Sequence, residues 1–213
     1  VAGADADIVR EVFALAGYRV RYQVYPLARA TDLLIWGGVA GFVSVTSSPE
    51  RERYCHFSLP INHVRDVFFK RKDRTIAWRT MEDLAPYVVG HSGYNYAPVF
   101  LDAIRRQVFR RVETVRAENP EPLQFRKLLA GRMDLFICEL NVGLWFLRNH
   151  APEFSGIDSI ATPVGPVRSF HVAFSKRWAG VDELVRQFNQ ALVQWKQTQR
   201  QGLIFSKYGM VGL

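Results

Sequence analysis

One short grammar occurs twice in this chain: a helix end, a glycine turn and an apolar strand. It runs from Leu33-Leu34 through Gly38 to the strand Gly41–Val45, and again from Leu128-Leu129-Ala130-Gly131-Arg132-Met133-Asp134 into Leu135-Phe136-Ile137-Cys138. A helix that turns directly into an apolar strand lays helix against sheet, which is the α/β arrangement. Two such halves suggest two lobes of common design. Helix–glycine–strand is common to all α/β proteins, so one sheet holding both copies is the competing reading.

The segments around these echoes extend the pattern. Ile8, Val9, Val12, Phe13 and Ala16 recur at helical spacing, with Asp5 and Asp7 at the end where the helix dipole favours negative charge, and Gly17 closes the helix. Val20, Tyr22 and Val24 alternate with Arg19, Arg21 and Gln23 as a half-buried strand, stopped by Pro26. A helix over about 28–36 follows, and helix, strand, helix, strand predicts a parallel sheet. Thr46-Ser47-Ser48-Pro49-Glu50-Arg51 reads as a polar turn opening a helix, and Val67–Lys70 as a strand. Thr80 with Asp83 has the spacing of a capping box. Val88-Val89-Gly90 is a strand ending at His91-Ser92-Gly93-Tyr94, with a helix over 97–108 after it. Phe170–Phe174 is a strand. Leu184, Val185, Phe188, Ala191, Leu192 and Trp195 mark one face of a long helix, and Gly202 precedes a last short one around Tyr208.

Composition removes several classes. At 48% hydrophobic and 23% charged residues the chain has ample material for a core and is neither disordered nor fibrous. No run approaches the roughly 18 to 20 apolar residues that span a bilayer. The net charge of +8 invites nucleic acid, but the densest basic runs, Lys70-Arg71-Lys72 with Arg74 and Arg105-Arg106 with Arg110-Arg111, carry no nucleic-acid motif, so none is expected as a partner. Cys55 and Cys138 define neither a disulfide framework nor a zinc site and read as two buried thiols. His56, His63, His91, His150 and His171 show no metal-ligand spacing, so no metal or cofactor is expected.

Five stretches together resemble the family-3 extracellular solute-binding proteins, which include the amino-acid-binding components of ABC importers. Asp7-Ile8-Val9 through Ala16-Gly17-Tyr18, then Tyr25-Pro26-Leu27-Ala28-Arg29-Ala30, is similar to the opening helix, strand and "P-W-x-R" turn of that family. Ser48-Pro49-Glu50-Arg51 through Phe57-Ser58-Leu59-Pro60 resembles its "T-P-E-R … F-S-x-P" signature. Val89-Gly90 through Gly93-Tyr94-Asn95-Tyr96 resembles the start of its second lobe, and Leu128 to Phe136 its "L-x-x-G-R-x-D" element. Ala173-Phe174-Ser175-Lys176 is similar to its closing strand. Each match is weak alone; in order, from residue 5 to about 209, they are specific. The family carries a strand before its first helix, and a signal peptide and that strand are expected ahead of Val1. Leu27 replaces the turn's aromatic, and Ala40 stands where an Asp is usual, while Asp134 is retained.

The resemblance implies a two-lobed α/β fold of the periplasmic-binding-protein type (type II) with a ligand cleft between the lobes. Lobe 1 is expected over 1–68 plus 177–213 and lobe 2 over 69–176, with strands near Val67–Lys70 and Phe170–Phe174 linking them. An amino-acid zwitterion needs a cation with donors at one end and an anion at the other. By resemblance Arg51 holds the ligand's carboxylate, and a planar guanidinium can do so through two parallel bonds. Thr46 and Ser44 add hydroxyls, and Leu27 lines the same lobe. Glu139 sits where relatives receive the α-ammonium, directly after an apolar strand, at the sheet end where open α/β folds bind ligands. Tyr94, Asn95 and Tyr96 open the second-lobe helix, where free N–H groups can meet an anion; either tyrosine could instead be core.

The expected function is capture of a small polar, amino-acid-like ligand by a monomer in the periplasm, with lobe closure read by an ABC permease. No enzymatic activity is expected. A ligand-sensing domain of a membrane receptor kinase and a cyclic amino-acid dehydratase are the competing functions on this fold.

Overall fold

The computed structural model describes residues 1–94, 96–117 and 119–212. Asn95 therefore lies outside the described residues. In chain order the elements are α1 (Ala4–Leu15), α2 (Leu27–Trp36), β1 (Gly41–Val45), α3 (Pro49–Glu52), β2 (Cys55–Phe57), β3 (Asn62–Val64) and β4 (Asp66–Arg71). A 3-10 turn (Met81–Leu84), β5 (Val88–His91), α4 (Pro98–Arg105), β6 (Arg111–Thr114), α5 (Glu121–Leu129), β7 (Leu135–Glu139) and α6 (Leu140–Asn149) follow. The chain closes with β8 (Ile157–Pro163), β9 (Arg168–Ser175), α7 (Val181–Lys196) and α8 (Arg200–Lys207).

These elements form two compact units, one of Val1–His63 with Ser169–Gly212 and one of Val64–Arg168. The divisions lie several residues upstream of 68/69 and 176/177. The reason is strand pairing: β4 joins β7 and β8 in the second unit's sheet from its first residue, and β9 pairs with β1 and β2 in the first.

In the first unit β1 and β2 flank β9, and both run antiparallel to it, so the parallel sheet expected from the element order is absent there among the described strands. The alternating segment Val20 to Val24 is not a strand either. Tyr22 packs against the core and its hydroxyl donates to Ala6 O at 2.6 Å, which explains the alternation. A strand also needs a neighbour to share ladder hydrogen bonds, and alternation carries no information about that. The core joins Ile8, Val9 and Val12 of α1 to Val172 and Phe174 of β9 and to Phe188, Ala191, Leu192 and Trp195 of α7. Burying each large side chain is worth about 1.5–3 kcal/mol. The last helix takes Gly202 inside it rather than starting after it.

Asp7 and Glu11 tie α1 to α8. Asp7 accepts from Lys207 Nζ at 2.7 Å and Tyr208 Oη at 2.9 Å; Glu11 accepts from Trp195 Nε1 at 2.8 Å and from the Arg200 guanidinium. The Lys207 bond chiefly holds the Asp7 carboxyl below its ordinary 3.8, and the Arg200 bond holds Glu11 below 4.5. Depressed carboxylates contribute stability that is complete above those ordinary values and is lost as pH falls through the folded ones. Asp7→Asn is therefore expected to cost about 1–3 kcal/mol at neutral pH. The difference from wild type should shrink as pH is lowered below the ordinary 3.8, read by urea unfolding across an acid pH series.

The second unit is a five-stranded mixed sheet in the order β6-β5-β7-β4-β8. Its parallel pairs are β5–β6 and β5–β7, and its antiparallel pairs β4–β7 and β4–β8. Both faces are covered. Phe68, Leu135 and Ile137 face one cluster with Val89 and Phe100, while Val67, Phe69, Phe136 and Cys138 face another with Phe125 and Phe146. That explains why β4 and β7 read as unbroken apolar runs. The Thr80–Asp83 capping box is formed, with Arg79 N and Thr80 N each donating to Asp83 Oδ2 at 2.8 Å. Cys55 and Cys138 are both buried free thiols.

Candidate functional site

In the first unit β1 delivers Thr46 and α3 delivers Arg51. Ser48 caps α3 by accepting from Arg51 N at 3.3 Å, and Pro49 begins the helix, where its missing N–H costs nothing. The Arg51 side chain turns back. Its Nη1 donates to Thr46 O at 2.8 Å and to Thr46 Oγ1 at 3.1 Å. One nitrogen of the guanidinium thus fixes the plane of the whole group. Tyr54 lies beside it: burial pushes the tyrosine hydroxyl up, and the Arg51 cation opposes that shift. Sequence reasoning passed over Tyr54, which stands three residues beyond Arg51 on the exit from α3 and carries no local signal.

Ser44 sits close to Thr46 in the chain, and its hydroxyl donates to Asp5 Oδ2 at 2.6 Å. Its backbone is left-handed at φ 64°. Asn62 Nδ2 donates to the other Asp5 oxygen at 2.9 Å. Asp5, read from the sequence only as a helix-dipole partner, is thus shared by a strand residue and by buried Asn62. Burial pushes the Asp5 carboxyl up, against these two bonds. Leu27 opens α2 after Pro26 and is 59% exposed.

In the second unit Glu139 is both the last residue of β7 and the cap of α6, accepting from Val142 N at 2.8 Å. Its second oxygen, Oε1, is buried without a hydrogen-bond partner. Burial pushes the carboxyl up, opposed by backbone N–H groups. The same end of the sheet carries Ser92 and Tyr94 beyond β5. Tyr96 belongs to the core: it is 4% exposed, its ring packs edge-on against Phe100, and its hydroxyl accepts from Ser92 N at 3.0 Å. Tyr94 is exposed, and burial of its hydroxyl end with the neighbouring Glu121 charge pushes its pKa up.

His91 is structural. Gly93 N donates to Nδ1 at 3.1 Å, so Nε2 carries the proton and donates to Thr114 Oγ1 at 2.9 Å. Burial, and then the Arg116 charge, hold its pKa below the ordinary 6.5. Among the described residues no group of three His, Cys, Asp or Glu side chains could hold a metal ion. None of their helices is long and apolar enough to cross a membrane.

Residues 1–211 match the profile of the bacterial extracellular solute-binding proteins, family 3. The chain belongs to that family. Its α/β fold is the two-lobed periplasmic-binding-protein type. An ancestral arginine-binding protein bound to arginine superposes with a TM-score of 0.78 at 19% identity, over 97% of this chain and 88% of that one. A histidine kinase sensor domain with similarity to periplasmic binding proteins gives 0.76 at 21% identity, over 97% and 86%. The substrate binding protein of an amino acid ABC transporter gives 0.73 at 18%, over 97% and 87%. No curated protein matches the sequence. At these identities the solved structures speak to fold, while the family profile speaks to membership.

Proposed function

We propose that this family-3 protein captures a small polar, amino-acid-like solute in the periplasm by lobe closure and hands it to an ABC importer, without transforming it. The observation that carries the proposal is the Arg51 guanidinium, pinned through Nη1 to Thr46 with a planar fork suited to a carboxylate. Thr46 supports the same end of the ligand. Glu139, whose buried Oε1 lacks a donor, suits an ammonium, and Tyr94 packs beside the ligand. Asn95 and Leu27 are proposed as further contacts from the family likeness alone. The arginine-binding and amino acid ABC transporter proteins of the same fold support an amino acid as the solute class.

The test is a thermal-shift screen of amino acids and related small carboxylates. A true ligand at a hundredfold excess over Kd should stabilise by about 2.7 kcal/mol. Arg51→Ala is expected to abolish that shift for every carboxylate ligand; an unchanged shift would remove Arg51 from the site. A second reading, favoured by the histidine kinase sensor domain of the same fold, is ligand sensing. A kinase segment in the same gene product would decide for it.

A further inference from the structure

Strand β1 carries one residue too many for its partner. Phe42 pairs with Ala173 and Val45 with His171, so three steps along β1 answer two along β9. The extra residue is a β-bulge, and Ser44 at φ 64° occupies the left-handed position that glycine ordinarily takes in such a bulge. The packing records the consequence. Phe42 and Val45 both face the cluster of Leu34, Cys55 and Ala173, while Val43 faces the α1–α7 core. In an unbulged strand Val43 and Val45 would share a face, because side chains alternate strictly. The bulge therefore decides how the chain leaves β1, and with it where the Thr46 carbonyl and hydroxyl lie.

A left-handed serine needs something to hold it there. The Ser44 hydroxyl donates to Asp5 Oδ2, at 2.6 Å. Asp5 is itself anchored, through its other oxygen, by Asn62 Nδ2 at 2.9 Å; Asn62 is buried and also accepts from His63 N at 2.8 Å. A rigid chain of contacts thus runs from Asn62 through Asp5 to the Ser44 bulge, then to Thr46, and from Thr46 to Arg51 Nη1.

We infer that Asp5 is a positioning residue for the carboxylate-binding arginine: by accepting the Ser44 hydroxyl it holds the left-handed bulge in β1 that presents Thr46 to Arg51. The binding half of this inference rests on the proposed role of Arg51; the structural half does not. Ser44 then acts through the backbone, and its hydroxyl serves the protein rather than the solute.

Glycine separates this from a merely structural role, because it adopts positive φ without help. The experiment compares Ser44→Ala, Asp5→Ala, Ser44→Gly and the double variant Asp5→Ala/Ser44→Gly. The ligand-free readout is the amide resonances of Val45 and Thr46 with the Arg51 Nε–Hε signal. Each of the twenty L-amino acids is then titrated singly by calorimetry. Ser44→Ala and Asp5→Ala should displace all three signals and weaken the best-bound amino acid about tenfold. Ser44→Gly should keep the signals near wild type, and the double variant should recover most of what Asp5→Ala loses.

Unmoved signals in Ser44→Ala overturn the inference, as does a double variant no better than Asp5→Ala. Should Asp5→Ala fail to fold, the two Ser44 variants decide alone. If wild type binds none of the amino acids, the functional proposal falls for that solute class, while the resonances still judge the bulge.

Discussion

Replacing Asp66 by alanine is expected to destabilise the second unit by about 3–5 kcal/mol. The carboxylate is 1% exposed, and Oδ1 lies 2.6 Å from Nη2 of Arg168, whose side chain is 14% exposed. Its Oδ2 accepts from Ala97 N at 2.9 Å, at the cap of α4. Truncation leaves a largely desolvated cation without its counter-ion and a buried N–H without an acceptor, and removing one partner of a buried pair is far more costly than replacing both. Asp66→Asn keeps an acceptor for Ala97 but not the charge, so its loss should be intermediate. Hydrogen exchange at the β4 and β7 amides in mild urea reads this unit alone, which matters for a chain of two units. A loss below about 1 kcal/mol for Asp66→Ala would mean the pair is solvated in solution.

Phe125→Ala should cost a comparable amount, about 3–5 kcal/mol, by opening a cavity. The ring is fully buried and packs on four others: stacked on Phe146 at 4.8 Å, edge-on to Phe136 at 5.1 Å and Phe69 at 5.3 Å, and tilted to Phe154 at 6.1 Å. It joins α5 and α6 to the sheet, so neighbours cannot collapse into the void without moving a helix. Phe125→Leu refills most of the space and should lose less than half as much. Equal losses for the two variants in the same exchange experiment would show that ring geometry, rather than volume, is what the cluster depends on.

Much of the fold is legible in local pattern. The helical stripe of Phe188, Ala191, Leu192 and Trp195 is buried as its spacing requires, and α2 ends in a glycine turn, at Gly37 with φ 73°, one residue before the Gly38 of the repeated pattern. The capping box at Thr80 and Asp83 forms because its two partners stand three residues apart. Strand partners are another matter. The element order suggested parallel pairing, and the first unit pairs antiparallel through β9, a strand more than a hundred residues from β1 and β2. Val20 to Val24 shows the same limit, since alternation reports a face and not a neighbour.

The candidate residues divide in the same way. Arg51 and Thr46 stand five apart around a proline turn, and their contact is local. Glu139 entered through the family resemblance; the apolar run before it is β7, which ends at that residue. Tyr96 could not be separated from Tyr94 by composition, because two tyrosines flanking one residue have equal chemistry; packing on Phe100 buries one and leaves the other exposed. Asp5 gave no sign of its bond to Ser44, thirty-nine residues away.

By itself the sequence determined most of the helices and their buried faces, because these are set by spacing along a few turns, while the ordered motifs carried the family likeness and with it the candidate residues for a zwitterion. Only the tertiary structure decided which strands pair, which tyrosine is core, and that a carboxylate in the first helix holds a left-handed serine in a bulge. Those outcomes depend on hydrogen bonds and packing closed across long stretches of chain, where neighbouring residues impose no preference of their own.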